Sequence, residues 1–95
     1  MRISDLKAGM RQVNLKAKVV NVSEPREVRT RFGWARVADA VIEDETGQAK
    51  MSLWNQQINM VAAGDEIIIE NGYTTEFRGE VQLNVGKYGK LKKVG

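Results

Sequence analysis

Two kinds of side chain in this sequence stand at spacings where they could do chemistry: flat aromatic rings set among polar residues, and cations close beside them. Trp54 follows Lys50 and Ser52 at intervals of two with Met51 and Leu53 between them, so in an extended segment Trp54 shares a polar face with Lys50 while Met51 and Leu53 take the other. The stretch Gly72-Tyr73-Thr74-Thr75-Glu76-Phe77-Arg78-Gly79 carries two rings and a guanidinium between glycines. A third stretch, Arg29-Thr30-Arg31-Phe32-Gly33-Trp34-Ala35-Arg36, interleaves three guanidinium groups with two large rings. Every nucleobase has a π-face, and stacking on a ring is worth about 1–3 kcal/mol per base whatever the base. A guanidinium pairs with phosphate through two parallel hydrogen bonds or stacks on a base. Each stretch also has a plain packing reading. Trp54 would cover the end of a sheet, Tyr73 or Phe77 would fold back over its mouth, and Phe32 and Trp34 would pack across a hairpin.

Other chemistries are poorly served. The chain has no Cys and no His, which removes the thiolate and imidazole nucleophiles, disulfides, the usual zinc ligands and the common base near neutral pH. Glu43, Asp44 and Glu45 border a turn and read as a solvated acidic turn rather than a carboxylate pair or magnesium site. Gly86-Lys87-Tyr88-Gly89-Lys90 lacks the glycine spacing of a phosphate loop and opens no convincing helix. Lys87, Lys90, Lys92 and Lys93 either touch phosphates or solvate a tail. No enzyme activity, cofactor or metal is expected.

The 95 residues, 42% of them apolar with a net charge of +3, are enough for one small domain with a modest core. No stretch approaches the roughly 18 apolar residues of a membrane span and the N-terminus lacks a basic-then-apolar leader, so no membrane is expected and the location expected is cytoplasmic, with the nucleoid. Residues 11–42 carry seven basic residues against Glu24, Glu27 and Asp39, whereas 43–80 carry eight carboxylates against Lys50 and Arg78. A sheet built this way would show a basic face and an acidic edge, or simply a mixed surface that keeps it soluble.

Val and Ile number 17 against five Leu, a β-branched bias that suits strands. Residues 3–10 read as a short helical turn or a loop. Val13, Leu15, Ala17 and Val19 alternate with polar residues as a half-buried strand, and the phase slips at Val20 and Val22 as a bulge would make it. Residues 24–36 form the arm of a long hairpin leading into a second strand over 37–43. Asp44 to Gly47 is a turn, and 48–54 is a third strand. Ile58, Val61 and Ala62 at helical spacing predict a short helix over 55–63, stopped at Gly64. Ile67 to Ile69 form a buried fourth strand, 72–79 a connection, and Val81, Leu83 and Val85 a fifth strand. Three strands, one short helix and two strands predict an all-β fold: a five-stranded Greek-key OB-fold barrel with the helix between its third and fourth strands. An SH3-like barrel, the rival, would not usually place a helix there. In an OB barrel the third strand and the two loops bearing rings converge on one groove.

Asp44-Glu45-Thr46-Gly47, Ser52-Leu53-Trp54, Gly64-Asp65, Glu70-Asn71-Gly72-Tyr73, Glu76-Phe77-Arg78-Gly79 and Gln82-Leu83-Asn84-Val85-Gly86, in this order, resemble the archaeal single-stranded DNA-binding proteins of simple one-OB-domain form. These are related to replication protein A and to the short animal single-stranded DNA-binding proteins of the DNA-damage response. The resemblance covers nearly the whole chain. It implies an aromatic trio that stacks on successive bases, at positions matched by Trp54, Tyr73 and Phe77. Tyr73 stands where crenarchaeal members often have Trp, and Asn84 where animal members have a further aromatic. Many members continue into an acidic C-terminal tail that recruits other proteins.

The expectation is therefore that residues 1–95 form one OB-fold nucleic-acid-binding domain that holds and protects single-stranded DNA in replication, recombination and repair. Trp54, Tyr73 and Phe77 would stack bases, Trp34 and Phe32 would be additional stacking rings, and Lys50, Arg78, Arg29, Arg31, Arg36 and Lys87 would track phosphates. Expected partners are single-stranded DNA and replication or repair proteins, with the protein a monomer on DNA or a weak oligomer. Two alternatives stay open: an RNA-binding OB module, and a protein-interaction OB subunit of an assembly like replication protein A.

Overall fold

The computed structural model describes residues 1–86 and 88–94. Among these, seven strands are present: β1 (Val13–Val22), β2 (Arg26–Thr30), β3 (Gly33–Asp44), β4 (Gly47–Trp54), β5 (Glu66–Phe77), β6 (Glu80–Asn84) and β7 (Lys90–Val94). They pair in the order β1-β3-β4-β6-β5-β7. Because β1 also pairs with β5, the ladder returns to its first strand. All pairs are antiparallel except β4 with β6, which is parallel. No helix among the described residues is long and apolar enough to cross a membrane.

Strict alternation builds the interior. Val13, Leu15, Ala17 and Val19 of β1 are buried and their neighbours exposed. They meet Ala38, Ala40 and Ile42 of β3, Met51 and Leu53 of β4, Ile67 and Ile69 of β5, and Leu83 of β6 in one cluster. Full burial of such a side chain stabilises by about 1.5–3 kcal/mol. The phase slip near Val20 is a bulge, with the β1–β3 register shifting between Val19 and Asn21.

The strand count differs from the predicted five because β2 and β7 carry little alternation. In β2 only Val28 and Thr30 are even half-buried, and in β7 only Leu91 is buried. Such strands leave no periodic signal, and backbone pairing with β3 and β5 alone reveals them. The predicted basic tail is thus β7, and two of its lysines answer acids: Lys92 meets Glu70 of β5 at 2.8 Å and Lys93 meets Asp65, just before β5, at 3.6 Å. The charges of this edge are mixed, not segregated into a basic face and an acidic edge. The second strand starts at Gly33, earlier than the predicted 37, since Thr30 and Gly33 close a tight turn there.

Instead of a helix over 55–63, a 3-10 helix covers Asn55–Asn59. Of the three apolar residues whose spacing suggested the helix, Ile58 is buried within the 3-10 turn and Val61 just beyond it, while Ala62 is exposed. The N-terminal segment likewise forms a 3-10 turn, Ile3–Asp5. Asp44 anchors it across the sheet by accepting the Ile3 N–H at 2.8 Å. That bond and the Thr46 hydroxyl, the larger influence, hold the Asp44 carboxyl below the ordinary carboxylate range.

The largest departure is in β5. Residues 72–79 were expected to be a connection, yet β5 runs unbroken through Phe77 and the turn is confined to Arg78 and Gly79. Both have positive φ, +52° and +80°, as a two-residue hairpin turn that follows the strand twist requires. An extra residue makes the long strand two-sided. Val13 pairs with Gly72 and Leu15 with Ile69, so Asn14 faces both Glu70 and Asn71. Asn71 adopts a left-handed φ of +54°, and its N–H, displaced from the ladder, donates to Asn14 Oδ1 at 2.9 Å. Unbroken alternation from Ile67 and Ile69 would turn Tyr73 and Phe77 inward. The bulge instead makes Gly72 and Thr74 the buried positions and faces Tyr73, Thr75 and Phe77 outward.

Candidate functional site

The outer face of β3, β4, β6 and β5 is read directly from the register. Inward residues Met51 and Leu53 leave Lys50, Ser52 and Trp54 outward, as their spacing predicts. Cross-strand partners then place Asp39, Ser52, Asn84 and Tyr73 in one row and Val41, Lys50, Gln82 and Thr75 in the next. Beyond the first row stand Trp54 and its partner Val37, and beyond the second Phe77 and its partner Glu80. Trp54, Tyr73 and Phe77 therefore share one face. Tyr73 is 39% and Phe77 59% exposed, and Trp54 is half-buried.

Each ring is held differently. At Trp54 it is the backbone that is held: its amide N–H donates to Gln57 Oε1 at 3.0 Å, and Gln57 Nε2 donates to the Val85 carbonyl at 3.1 Å. This one side chain fixes the end of β4 against the end of β6. Nearby, the Arg36 N–H donates to Asn55 Oδ1 at 3.1 Å. The Tyr73 ring lies on the backbone of Gly86, where an added Cβ would stand 2.9 Å from the ring. Phe77 carries the Arg78 guanidinium over its ring, 5.2 Å from the centroid, a cation–π contact of modest worth at an exposed site.

Two recesses flank Trp54. The first, about 580 Å³, runs towards Phe77 and Arg78 over Lys50 and Ser52. The second, about 1060 Å³, runs towards Tyr73 between Trp34 and Gly86. Trp54 and Thr30 border both, so the two are parts of one groove. The β2–β3 hairpin forms its far wall. There Arg26, Val28 and Thr30 pair with Val37, Ala35 and Gly33; Arg29, paired with Trp34, still reaches the first recess and Trp34 the second, while the pair Glu27 and Arg36 borders neither. The tip is tied by Thr30, whose hydroxyl donates to the Gly33 carbonyl at 2.8 Å and accepts the Phe32 N–H at 3.1 Å. Phe32 is 92% exposed and Trp34 69%.

The cations are less uniform than their sequence spacing suggests. Lys50 is bound to Glu80 at 2.7 Å, and this carboxylate raises its pKa above the usual lysine value. Arg26 is bound to Asp39 at 3.1 Å. The first recess is bordered by four cations, Arg26, Arg29, Lys50 and Arg78, against the two carboxylates. Arg31 borders the second recess. Arg36 lies on the reverse side of the ribbon, opposite Glu27. Lys87, also expected to track phosphate, lies outside the described residues. Four participants escape sequence reasoning: Arg26, Asp39, Gln57 and Gly86. Arg26 and Asp39 meet only through hairpin pairing, Gln57 has no pattern, and Gly86 reads merely as the end of a strand.

The arrangement offers rings at intervals along a groove with a surplus of positive charge and a floor of hydroxyls and amides. Comparison with known proteins gives a consistent picture. The family model for single-stranded DNA binding protein, Ssb-like, OB fold, matches residues 6–93. The single-stranded DNA binding protein Ssb of Saccharolobus solfataricus is 37% identical over 90 residues, covering 95% of this chain and 61% of that protein, so the chain spans less than two thirds of this relative's length. Replication factor A of Methanothermobacter thermautotrophicus is 31% identical over 98 residues, which are 96% of this chain and 12% of that one. Among solved structures, an OB domain from Thermoplasma acidophilum superposes with a TM-score of 0.86 over 99% of this chain and 85% of its own, at 22% identity. That likeness concerns the fold.

Proposed function

Since the chain belongs to the Ssb-like family of OB-fold single-stranded DNA binding proteins, we propose that it holds single-stranded DNA in the groove beside β4, without sequence preference, and shields strands exposed in replication, recombination and repair. One observation carries the reading: the β4–β6–β5 register turns Trp54, Tyr73 and Phe77 to the same face. Bases stacked on these rings would leave their edges largely unread, so one site accepts any sequence. Arg29, Arg31 and Arg78 would meet phosphates directly. Lys50 would do so by exchanging Glu80 for a phosphate oxygen, and Arg36 from the back of the hairpin. Trp34 and Phe32 add rings at the hairpin tip for bases leaving the groove. The role is binding without chemistry, in keeping with the names of the relatives. The closed circuit of β1, β3, β4, β6 and β5 supports reading residues 1–95 as one five-stranded Greek-key OB barrel, with β2 lengthening the hairpin and β7 added at one edge.

Titration with a short oligothymidine while following tryptophan fluorescence tests this. Saturable quenching is expected, weaker at higher salt because phosphate neutralisation releases counterions, and a duplex of equal length should compete poorly. Absence of quenching together with absence of competition by single strands would overturn the proposal in favour of a protein-interaction role.

Gly86→Ala probes the seat of Tyr73. The new Cβ meets the ring 2.9 Å away, and a surface ring can swing aside. The melting temperature should hardly move, while single-strand affinity falls by less than a whole stacked base, about 1–3 kcal/mol. An unchanged affinity would mean that the resting position of Tyr73 is irrelevant to binding.

A further inference from the structure

Past Tyr73 the groove does not end. A third recess, about 280 Å³, lies between Arg11 at the entry to β1 and Tyr88, and it shares Tyr73, Gly86 and Gly89 with the recess before it. The groove therefore continues from Phe77 past Trp54 and Tyr73 towards another ring. Tyr88 is 81% exposed, a fraction between those of the two rings of the hairpin tip. It does not sit on a loose loop. The Gly89 N–H donates to the Gly86 carbonyl at 3.0 Å, closing a turn, and Asn71 Nδ2 donates to the Tyr88 carbonyl at 3.3 Å. Gly89 is packed so closely on the β5 bulge that an added Cβ would stand 2.9 Å from the Asn71 carbonyl oxygen and 3.1 Å from that of Glu70. The bulge that faces Tyr73 outward thus also seats the turn bearing Tyr88.

We propose that Tyr88 is a fourth stacking station for single-stranded DNA, reached by a strand that has passed Tyr73, with Arg11 taking a phosphate across the third recess. The inference rests on the groove proposed above. An exposed ring on a backbone-anchored turn meets a base with little ordering left to do, which favours binding, and an exposed arginine facing it supplies the charge that a polyanion needs.

A ladder of labelled oligothymidines of increasing length, read by fluorescence polarisation, tests it with Tyr88→Ala, Tyr88→Phe, Arg11→Ala and Trp54→Ala. On oligomers just long enough for three rings, Tyr88→Ala should equal the parent. On longer ones the parent should gain affinity that Tyr88→Ala lacks, a difference of about tenfold, with Tyr88→Phe retaining the gain. Arg11→Ala should lower the salt slope by about one phosphate, on the longer oligomers only. If Tyr88→Ala matches the parent at every length while Trp54→Ala binds weakly, the fourth station is wrong and the groove stands. A loss with Tyr88→Ala that is the same at every length also overturns it, by placing Tyr88 within the three-ring segment. If Trp54→Ala is unaffected too, the groove itself fails.

Discussion

Trp54→Ala should weaken single-strand binding roughly 5- to 150-fold, the worth of one lost stacking partner at about 1–3 kcal/mol, and more than Phe77→Ala. Trp54 borders both recesses, so its loss interrupts the groove in the middle, whereas Phe77 stands at one end and shares its ring with Arg78. The side chain lies on the outer face, opposite the inward Leu53, so the interior cluster is left intact. Trp54→Phe retains a ring and should recover most of the affinity. Polarisation of a labelled oligomer measures both variants without relying on tryptophan emission, and chemical denaturation checks that the fold survives. Equal affinity of Trp54→Ala and parent, with the fold intact, would remove the central stacking station.

Gly72→Ala should cost stability, about 2–3 kcal/mol, at the upper end of what one added carbon usually does in a packed interior. Gly72 is the inward residue after the bulge, and a Cβ there would stand 2.9 Å from the Asn84 carbonyl oxygen and 3.1 Å from Ile69 Cγ2. The first neighbour is backbone in β6 and cannot turn away as a side chain would. Relief must come from separating β5 and β6, the two strands whose register aligns Tyr73 with Asn84 and Phe77 with Glu80. The denaturation midpoint should fall, and affinity measured well below the transition should fall with it. A midpoint within experimental scatter of the parent would show that the β5–β6 contact is loose.

How much of this was legible beforehand depended on where periodicity carried information. β1 and β4 were plain because one face is apolar and the other polar, and the outward direction of Trp54 follows from that alternation. Tyr73 and Phe77 were expected to be exposed, but on a loop. They are exposed on a strand, because Asn71 resets the phase, and one residue in a left-handed conformation leaves no trace in a hydrophobic pattern. β2, expected only as a hairpin arm, and β7, expected only as a basic tail, were not counted as strands, because a strand paired on one edge that buries no more than one residue needs no alternation. The ion pairs of the groove were invisible for a topological reason. Lys50 and Glu80 meet only because β4 and β6 run parallel side by side, and no local signal announces a pairing between residues so far apart in the chain.

The closure of the ladder also bears on how neighbouring copies behave. Among the described residues, β1 pairs with β5 through Val13–Lys18 and with β3 through Lys18–Val22, whereas β2 and β7 each have a single partner strand and so an open edge along their length. An open edge invites another chain to add a strand, the usual route to aggregation, and charged side chains along it discourage this. Here β2 carries Arg26, Glu27 and Arg29, and β7 carries Lys90, Lys92 and Lys93. Copies meeting edge to edge would therefore have to bury charged side chains of both strands, several of them already in ion pairs. The two lone-partnered strands thus carry their own guard against fusing sheet to sheet when copies crowd.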